Sequence, residues 1–529
     1  MQHTYTARTK MEDALAVACI SVVLFVAAWL FTEFRTAWNG SQAQLPKNVR
    51  AFSKIPGPRG LPWFGSVIQH IMNAKSIQHV CTQKKLFEQY GPIFKETVMG
   101  KTHVYIQSPA DLEAVFKAEG KFPKRSTDVM LTLKEYLRTR NVMVVPSLGL
   151  LNNEEWARLR KAMTPKLLRP QDVGENIQSF CRMTRDAVSY LAKTRGDAGF
   201  DNEIPNLEDV LHNFAAETMG IIVFDSRVGL FDDPPNSEAV EMVKAINDSF
   251  KLMGKLNGGL ESFLLKYTCY KTSTFKTMCD VLDFILKTSY KHVSKTAKKL
   301  QETADDVEDD QAVPLLTYLL TKSDLQMEEA TLSSVIMFRA GVEVTGTIAL
   351  WLLYELARNP RVQEKVYEEV SSLIKTNEDF TTESFGKLHY TKACVRETLR
   401  LYPDPGFWSR VLSRDAVLSG YHIPAGTPIR YSNYLSGHSE EIFSNPLEFK
   451  PERWLNTEKN GPHPYASIPF GFGRRMCIGR RVAQTELCLL AAMIVQRFVL
   501  EFHEKPVEIT SEFVLVPDRP MRIKFIDRE

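Results

Sequence analysis

The chain lacks paired cysteines. Its eight (Cys19, Cys81, Cys181, Cys269, Cys279, Cys394, Cys477 and Cys488) include no CxxC pair and no metal-finger spacing, so neither a disulfide framework nor structural zinc is indicated. CxxCH is absent too, which excludes a covalently attached c-type haem. An excess of one charge is also missing. Lys and Arg number 66 against 63 Asp and Glu, leaving +3, so bulk charge points to no nucleic-acid partner and any basic docking site must be a local patch. There are no internal repeats and no internal linker. The body reads as a protein of a reduced, intracellular compartment. What is present is ordinary for a globular protein: 529 residues, 44% hydrophobic and 24% charged, enough for several average domains or one large one.

One long apolar run does occur. Ala14 to Thr32 is uncharged and mostly apolar, and Glu33 ends it. As a helix it would span about 28 Å, close to the ~30 Å hydrocarbon core of a bilayer. Arg35, Lys47, Arg50 and Lys54 follow it, whereas Arg8 and Lys10 ahead of it are cancelled by Glu12 and Asp13. That bias would keep the downstream body on the cytosolic side. Residues 1–54 are therefore expected to be an anchor helix at about 14–32 plus a polar linker. No clear small-residue cleavage site follows the run, which argues against a signal peptide. An import presequence is the alternative for residues 1–10, which carry hydroxyls and two basic residues without acids. The sequons at Asn39 and Asn247 carry little weight, because such tripeptides arise by chance.

Ile55-Pro56-Gly57-Pro58-Arg59-Gly60 closes the linker, its prolines stiffening the entry into a body at 55–529. Ile93–Ile106 reads as a hairpin broken at Met99-Gly100. Helical patterning runs from about 150 to 400, with breaks at Asn257-Gly258-Gly259 and at the acidic stretch 302–311, which reads as a solvated loop. From Met327 to about Ile374 the periodicity suits a long buried helix and a second one, separated at Asn359-Pro360. The C-terminal third mixes turns, such as Pro424-Ala425-Gly426-Thr427, with short strands, such as Met521-Arg522-Ile523-Lys524-Phe525. The expected fold class is mainly α with minor β, in one large domain.

The chemistry centres on Cys477. It lies in Phe470-Gly471-Phe472-Gly473-Arg474-Arg475-Met476-Cys477-Ile478-Gly479-Arg480-Arg481, a glycine-framed loop ending where a helical pattern begins. Gly473 and Gly479 suit a sharp turn and a close approach to a flat cofactor face. A cysteine at a helix N-terminus is favoured as thiolate by the dipole and the free N–H groups. Most buried cysteines are inert, yet here the surrounding pattern outweighs that base expectation. The loop resembles the haem-binding signature of the cytochrome P450 family, matching at Phe470, Gly473, Cys477 and Gly479. The resemblance implies the cytochrome P450 fold and haem b, with iron ligated by Cys477.

Other segments resemble the same family. Glu397 and Arg400 lie three apart on one helix face, a spacing that alone suits a surface ion pair. With Arg453 of Pro451-Glu452-Arg453-Trp454 they match the family's buried Glu-Arg-Arg triad, a structural role. Trp156 and Arg160 lie four apart and match the family's Trp-x-x-x-Arg propionate helix, with Arg475 and Arg410 as further propionate partners. Ala340-Gly341-Val342-Glu343-Val344-Thr345 resembles the oxygen-activation segment, in which Glu343 and Thr345 would relay protons. It departs at Val344, where the alcohol normally stands. One residue turns a helix by about 100°, so Thr345 would need a water or a local bulge; otherwise Glu343 and solvent act alone, or the reaction needs no relay.

Lys392 and Arg396, four apart, and Arg480 and Arg481 match the residues by which the mitochondrial-type clan binds an acidic [2Fe–2S] ferredoxin, a docking that opposite charge would steer. Gly91-Pro92-Ile93-Phe94-Lys95-Glu96 and Leu353–Pro360 resemble that clan as well. The pocket, by family position, takes Ala340, Val344, Phe407, Trp408 and Val514. Together these imply a membrane-anchored haem-thiolate monooxygenase that inserts one atom of dioxygen into a lipophilic, sterol-like molecule. The donor would be the ferredoxin or, if the anchor marks the endoplasmic reticulum rather than the mitochondrial inner membrane, a diflavin reductase. A haem-thiolate isomerase or lyase that needs no electrons, and a non-catalytic haem sensor, are the alternatives.

Overall fold

The computed structural model describes residues 46–528 apart from 61–64, 67–75, 127–129, 142–146, 197–200, 258, 269, 303–314, 376–377, 456–460 and 512–513. The expected anchor at 14–32, the presequence segment and most of the acidic stretch lie outside the described residues. Part of the expected linker is packed on the body. Arg50 bridges to Tyr421 and its guanidinium lies 3.7 Å from that ring, and Lys95 Nζ donates to the carbonyls of Phe52 and Ser53 at 3.1 and 3.0 Å. Docking thus begins ahead of Ile55.

Nine helices carry the argument: α1 (Asn153–Leu168), α2 (Ile177–Thr194), α3 (Leu207–Phe224), α4 (Ser237–Leu256), α5 (Ser273–Glu302), α6 (Met327–Arg358), α7 (Pro360–Leu373), α8 (His389–Leu401) and α9 (Arg480–Arg497). Among the described residues α6 is the one helix long and apolar enough to cross a bilayer, but it is the core of the body. Its N-terminus is closed by a capping box between Gln326 and Glu329. It ends at Asn359, because Pro360 supplies no N–H and begins α7 instead.

Helix α3 crosses α6 where glycine leaves room. A Cβ on Gly341 would stand 2.6 Å from Met219 Sδ, and one on Gly346 would stand 2.4 Å from His212 Cδ2. The small residue at 341 therefore serves helix packing. Trp351 stacks on Tyr402 with centroids 4.0 Å apart and donates to the Leu515 carbonyl at 2.8 Å, tying α6 to the C-terminal strands.

The sheet lies to one side. Strands β1 (Ile93–Val98) and β2 (Lys101–Ile106) form the expected hairpin, with Met99 and Gly100 at φ 50° and 73°. With β3 (Phe407–Val411) and β6 (Pro428–Ser432) they form a four-stranded sheet of order β1-β2-β6-β3, in which only the β2–β6 pairing is parallel. Between them β4 (Ala416–Leu418) and β5 (Tyr421–Ile423) make a separate hairpin, and Pro424–Thr427 turns the chain back toward β6. The remaining strands pair locally, β7 (Phe498–Glu501) with β10 (Lys524–Asp527) and β8 (Ile509–Ser511) with β9 (Leu515–Pro517). The strand expected from Met521 begins only at Lys524, although Met521, Ile523 and Phe525 keep the alternating burial.

The helices enclose the larger apolar core and the sheet a second one. The cysteine loop runs between them: Ile468 packs in the sheet core, and Phe470 and Ile478 pack on the helical one.

Candidate active site

The loop closes on itself. Cys477 N donates to the Phe470 carbonyl at 2.7 Å and Met476 N to the Gly473 carbonyl at 3.1 Å. Gly471 and Gly473 hold φ of 68° and 69°, which an L side chain would strain, so glycine is required at both. Gly479 needs no such freedom. It is the N-cap of α9 at φ −81°, and a Cβ there would lie an ordinary 3.9 Å from Cys477 Sγ.

Among the described residues Cys477 is the one exposed free cysteine; Cys181, Cys279, Cys394 and Cys488 are buried. Its surroundings are nevertheless dense enough that burial raises the thiol above its ordinary range, against the Gly479 N–H and the guanidinium groups of Arg160, Arg125 and Arg480. An accessible sulfur within dense protein fronts an enclosed space. The helix end alone does not make the thiolate here; a bound metal does that outright.

Cations converge beside the sulfur. Arg125, Arg160, Arg410 and Arg475 are all pushed down by burial, and Arg410 and Arg475 add to the effect at Arg125, which falls to about 9. Glu119 pairs with Arg410, and burial raises its carboxyl while the arginines oppose the rise. Arg125, Arg410 and Arg475 thus act on the Glu119 carboxylate, and Arg125 and Arg160 on the Cys477 thiol.

The four differ in what they have left to give. Arg475 is spent on its own fold: it donates to the Leu151 carbonyl and to Asn152 Oδ1, both at 2.8 Å, and to the Pro123 carbonyl, and it lies 4.3 Å from the Trp156 ring. Arg125 donates to the Arg475 carbonyl at 2.9 Å, and its Nε is buried without a partner. Neither the Arg160 guanidinium nor the Trp156 indole N–H makes a hydrogen bond or ion pair among the described residues. The chemistry of this donor set fits a dianionic cofactor edge that Trp156, Arg160, Arg410 and Arg125 would hold. Asn152 braces the set, accepting from Arg125 N at 3.0 Å as well as from Arg475.

The α6 segment divides by face. Ala340 is exposed and Val344, one turn on, is half-buried, so both border accessible space as expected of pocket residues. Thr345 is buried, and α6 runs unbroken through it with no bulge. Its hydroxyl, with that of Thr218, flanks the carboxyl of Glu486 without closing strict hydrogen-bond geometry, and burial pushes that carboxyl up to about 7. Of the two routes expected for Thr345, a water or a local bulge, the bulge is not present: α6 is continuous there and the side chain is buried.

Glu343 is also buried, and burial, with Glu208 and Asp404 adding to it, pushes its carboxyl up to about 8. The Asn247 amide bridges it to His212, donating to Glu343 Oε2 at 2.8 Å and accepting from His212 Nδ1 at 3.3 Å. Burial holds His212 down, at about 4, so the ring is neutral.

Phe407 and Trp408 point to opposite faces of β3 and cannot both line one pocket, a correction that the period of a strand dictates. Trp408 shares its face with Arg410, whose guanidinium lies 5.2 Å from its ring, and packs near Phe116 at 5.3 Å. Val514 is buried in the main core.

Arg400 lies buried against Glu397 with bonds of 2.9 and 2.8 Å, and Arg453 reaches the same carboxylate at 3.2 Å. Trp454 Nε1 adds a donor at 2.8 Å. The expected docking residues differ in exposure and in how far they are engaged. Arg396 is exposed over the Trp454 ring, whereas Lys392 donates to the Phe385 and Gly386 carbonyls at 2.7 and 2.8 Å. Arg481 caps the Leu168 carbonyl, and Arg480 is half-buried with an unpartnered Nε.

A cysteine loop beneath a long core helix, with a free cationic edge beside it, defines a haem-thiolate protein. The cytochrome P450 family model matches residues 55–525, and the chain belongs to that family. It is an oxidoreductase of the monooxygenase class, and the family's cofactor is haem b, ligated through a cysteine thiolate. Cytochrome P450 10 of Lymnaea stagnalis is 31% identical over 94% of this chain and 89% of its own length. The mitochondrial 1,25-dihydroxyvitamin D(3) 24-hydroxylase of Mus musculus is 28% identical over 91% of this chain and 90% of its own. The mitochondrial sterol 26-hydroxylase of Homo sapiens is 27% identical over 95% and 94%.

Proposed function

We propose that this chain is a mitochondrial-type monooxygenase that oxidises a lipophilic, sterol-like molecule, with Cys477 as the iron ligand and a [2Fe–2S] ferredoxin as donor. The carrying observation is the accessible Cys477 sulfur beside the guanidinium groups of Arg160, Arg125 and Arg480. The names of the vitamin D and sterol hydroxylase relatives support the substrate class, and their mitochondrial assignment supports the inner membrane as location. Haem b supplies the redox and oxygen chemistry. Trp156, Arg160, Arg410 and Arg125 would hold its propionates, with Asn152 and Glu119 fixing the arginines.

Glu343 holds a proton at neutral pH, because its carboxyl titrates at about 8. Asn247 fixes its Oε2 and neutral His212 backs the amide, so the acid is a proton source one residue before Val344. Ala340 and Val344 keep that side of α6 apolar. Arg396 supplies the exposed cation for an acidic donor.

A second reading, a haem-thiolate isomerase or lyase that uses no external electrons, is favoured by the buried hydroxyl of Thr345. The test is anaerobic reduction under carbon monoxide, comparing a ferredoxin with a diflavin reductase and reading the thiolate–iron–CO band. Reduction by the ferredoxin supports the proposal, whereas reduction only by the diflavin enzyme overturns its choice of donor. If dithionite alone gives the band, the isomerase reading takes over. A Cys477→Ser variant that retained the band would refute the ligand assignment.

A further inference from the structure

The segment from Glu119 to Arg125 is laced to the cysteine loop and to β3. On the loop side Arg474 Nη1 donates to the Lys121 carbonyl at 2.9 Å, Arg475 Nε donates to the Pro123 carbonyl, and Arg125 Nη2 donates back to the Arg475 carbonyl at 2.9 Å. On the strand side Val411 N donates to the Lys124 carbonyl at 2.9 Å. The segment thus runs between the two, and Glu119, its one acidic residue, spans the same gap. One carboxylate oxygen accepts from Arg410 Nε on β3. The other, Oε2, lies 3.3 Å from where a Cβ on Gly473 of the cysteine loop would stand.

The pair is nearly sealed: side-chain exposure is 2% for Arg410 and 11% for Glu119. A buried ion pair is a poor source of stability, since apolar side chains of similar volume often do as well or better. Its use here lies in what it leaves over. Arg410 gives Nε to Glu119 and Nη1 to the Ser409 carbonyl at 3.0 Å, and its Nη2 makes no hydrogen bond among the described residues. The carboxylate fixes the guanidinium by one edge and leaves one donor free. It also brings a negative charge of its own to the side of the cysteine loop.

We infer that Glu119 is a positioning residue for Arg410 whose fixed charge also sets how readily the bound cofactor accepts an electron. One electron enters from the ferredoxin-type donor, and no bond at Glu119 forms or breaks. A fixed anion beside the cysteine loop, with little water to screen it, opposes the arriving charge and favours the oxidised form. The inference rests on the reading of this site as a haem-thiolate centre.

The test is a spectroelectrochemical titration of the substrate-free holoenzyme, wild type against Glu119→Gln and Glu119→Asp, at low and high salt. Glu119→Gln keeps an oxygen for Arg410 Nε but removes the charge. The ferric–ferrous equilibrium should therefore move about tenfold toward ferrous, about 59 mV up for a one-electron couple. The shift should persist at high salt, because a buried charge is screened little. Glu119→Asp keeps the charge and shortens the reach, and should stay within about threefold of wild type. A merely mechanical role predicts the opposite order. Should Glu119→Gln fail to take up haem, Glu119→Ala is read in its place. An unmoved potential once the charge is gone, a shift that fades with salt, or an aspartate variant displaced as far as the glutamine one overturns the inference. A wild-type protein lacking the thiolate–iron–CO band overturns the haem-thiolate reading itself, and the inference with it.

Discussion

Replacing Arg400 by Met should be the most destabilising single change in the Glu397 cluster. Arg400 donates twice to Glu397 and also to the carbonyls of Gly437, Pro446 and Glu448. Breaking a buried ion pair from one side costs about 3–5 kcal/mol, because the remaining charge stays buried. Here the lower end applies to the pair, since Arg453, Trp454 and the Lys450 N–H still reach Glu397. The stranded carbonyls add roughly 1 kcal/mol each. A total of about 6 kcal/mol would take up much of the roughly 5–15 kcal/mol that a native protein has. Arg453→Met removes one bond to Glu397 and two exposed ones to Ser444 and Asn445, so about 2 kcal/mol is expected. The double variant Glu397→Gln/Arg400→Met should recover part of the loss, because the buried carboxylate charge is gone, although Arg453 then loses its acidic partner. Urea unfolding of the holoenzymes, followed by far-UV circular dichroism, gives the order. Where unfolding is irreversible, unfolding rates replace midpoints. An Arg400→Met protein within about 1 kcal/mol of wild type, or more stable than Arg453→Met, would refute the reasoning.

Three further outcomes follow from named contacts. The Glu343 carboxyl titrates at about 8 in the fold against an ordinary 4.5, so between those values the folded state holds one more proton and its stability falls as pH rises. Urea midpoints from pH 5 to 8 should therefore fall more steeply for wild type than for Glu343→Gln, by at most about 1.4 kcal/mol per pH unit; parallel lines would remove the claim. Arg396→Glu should slow reduction by a ferredoxin at low salt and recover toward wild type at high salt, at a stability cost limited to about 0.5–1 kcal/mol for its contact with the Trp454 ring. Lys392→Glu should also lower the unfolding temperature, because it uncaps the Phe385 and Gly386 carbonyls. Stopped-flow reduction and thermal melts separate the two, and equal behaviour would deny the split of the patch. Gly346→Val puts a Cβ 2.4 Å from His212 Cδ2 and 3.0 Å from its Cα, so α3 must shift, at a cost of about 1–3 kcal/mol or more. A variant with wild-type stability would show that the crossing is looser than described.

What was legible lay in short segments with fixed spacing. The cysteine loop, the Glu397 and Arg400 pair, the Met99-Gly100 turn and the Asn359-Pro360 break each depend on neighbours a few residues away. Arg125, Glu119 and Asn152 carried no such mark. Their meaning arises from convergence: Arg125 meets Arg475 across 350 residues, and Glu119 meets Arg410 across 291. Thr345 shows a different limit. Its direction depends on whether α6 bulges, and α6 runs through it as unbroken helix while α3 packs closely at Gly341 and Gly346. The opposed directions of Phe407 and Trp408 were readable from the two-residue period alone, once they lay on a strand. The four docking residues differ in exposure, which cannot be read from basic character: Arg396 is exposed, whereas Lys392, Arg480 and Arg481 are half-buried.

The distribution of charge around the site argues for what it receives. Beside Cys477 the fold concentrates Arg125, Arg160, Arg410 and Arg475 in surroundings that penalise each of them. Around α6 it buries Glu343, Asp404 and Glu486, each held up at about 7 to 8. These two sets do not neutralise one another: the cations are matched only by Glu119 and the cysteine, and the acids are kept neutral by protonation or by amide and hydroxyl neighbours. A fold evolved for stability alone would pair them or replace them with apolar side chains. Their separation asks for an occupant that is anionic toward the arginines and uncharged toward the raised acids. A flat dianionic cofactor seated on the cysteine meets the first demand, and an apolar substrate beside α6 meets the second. On this argument the fold separates cofactor from substrate by charge as well as by shape.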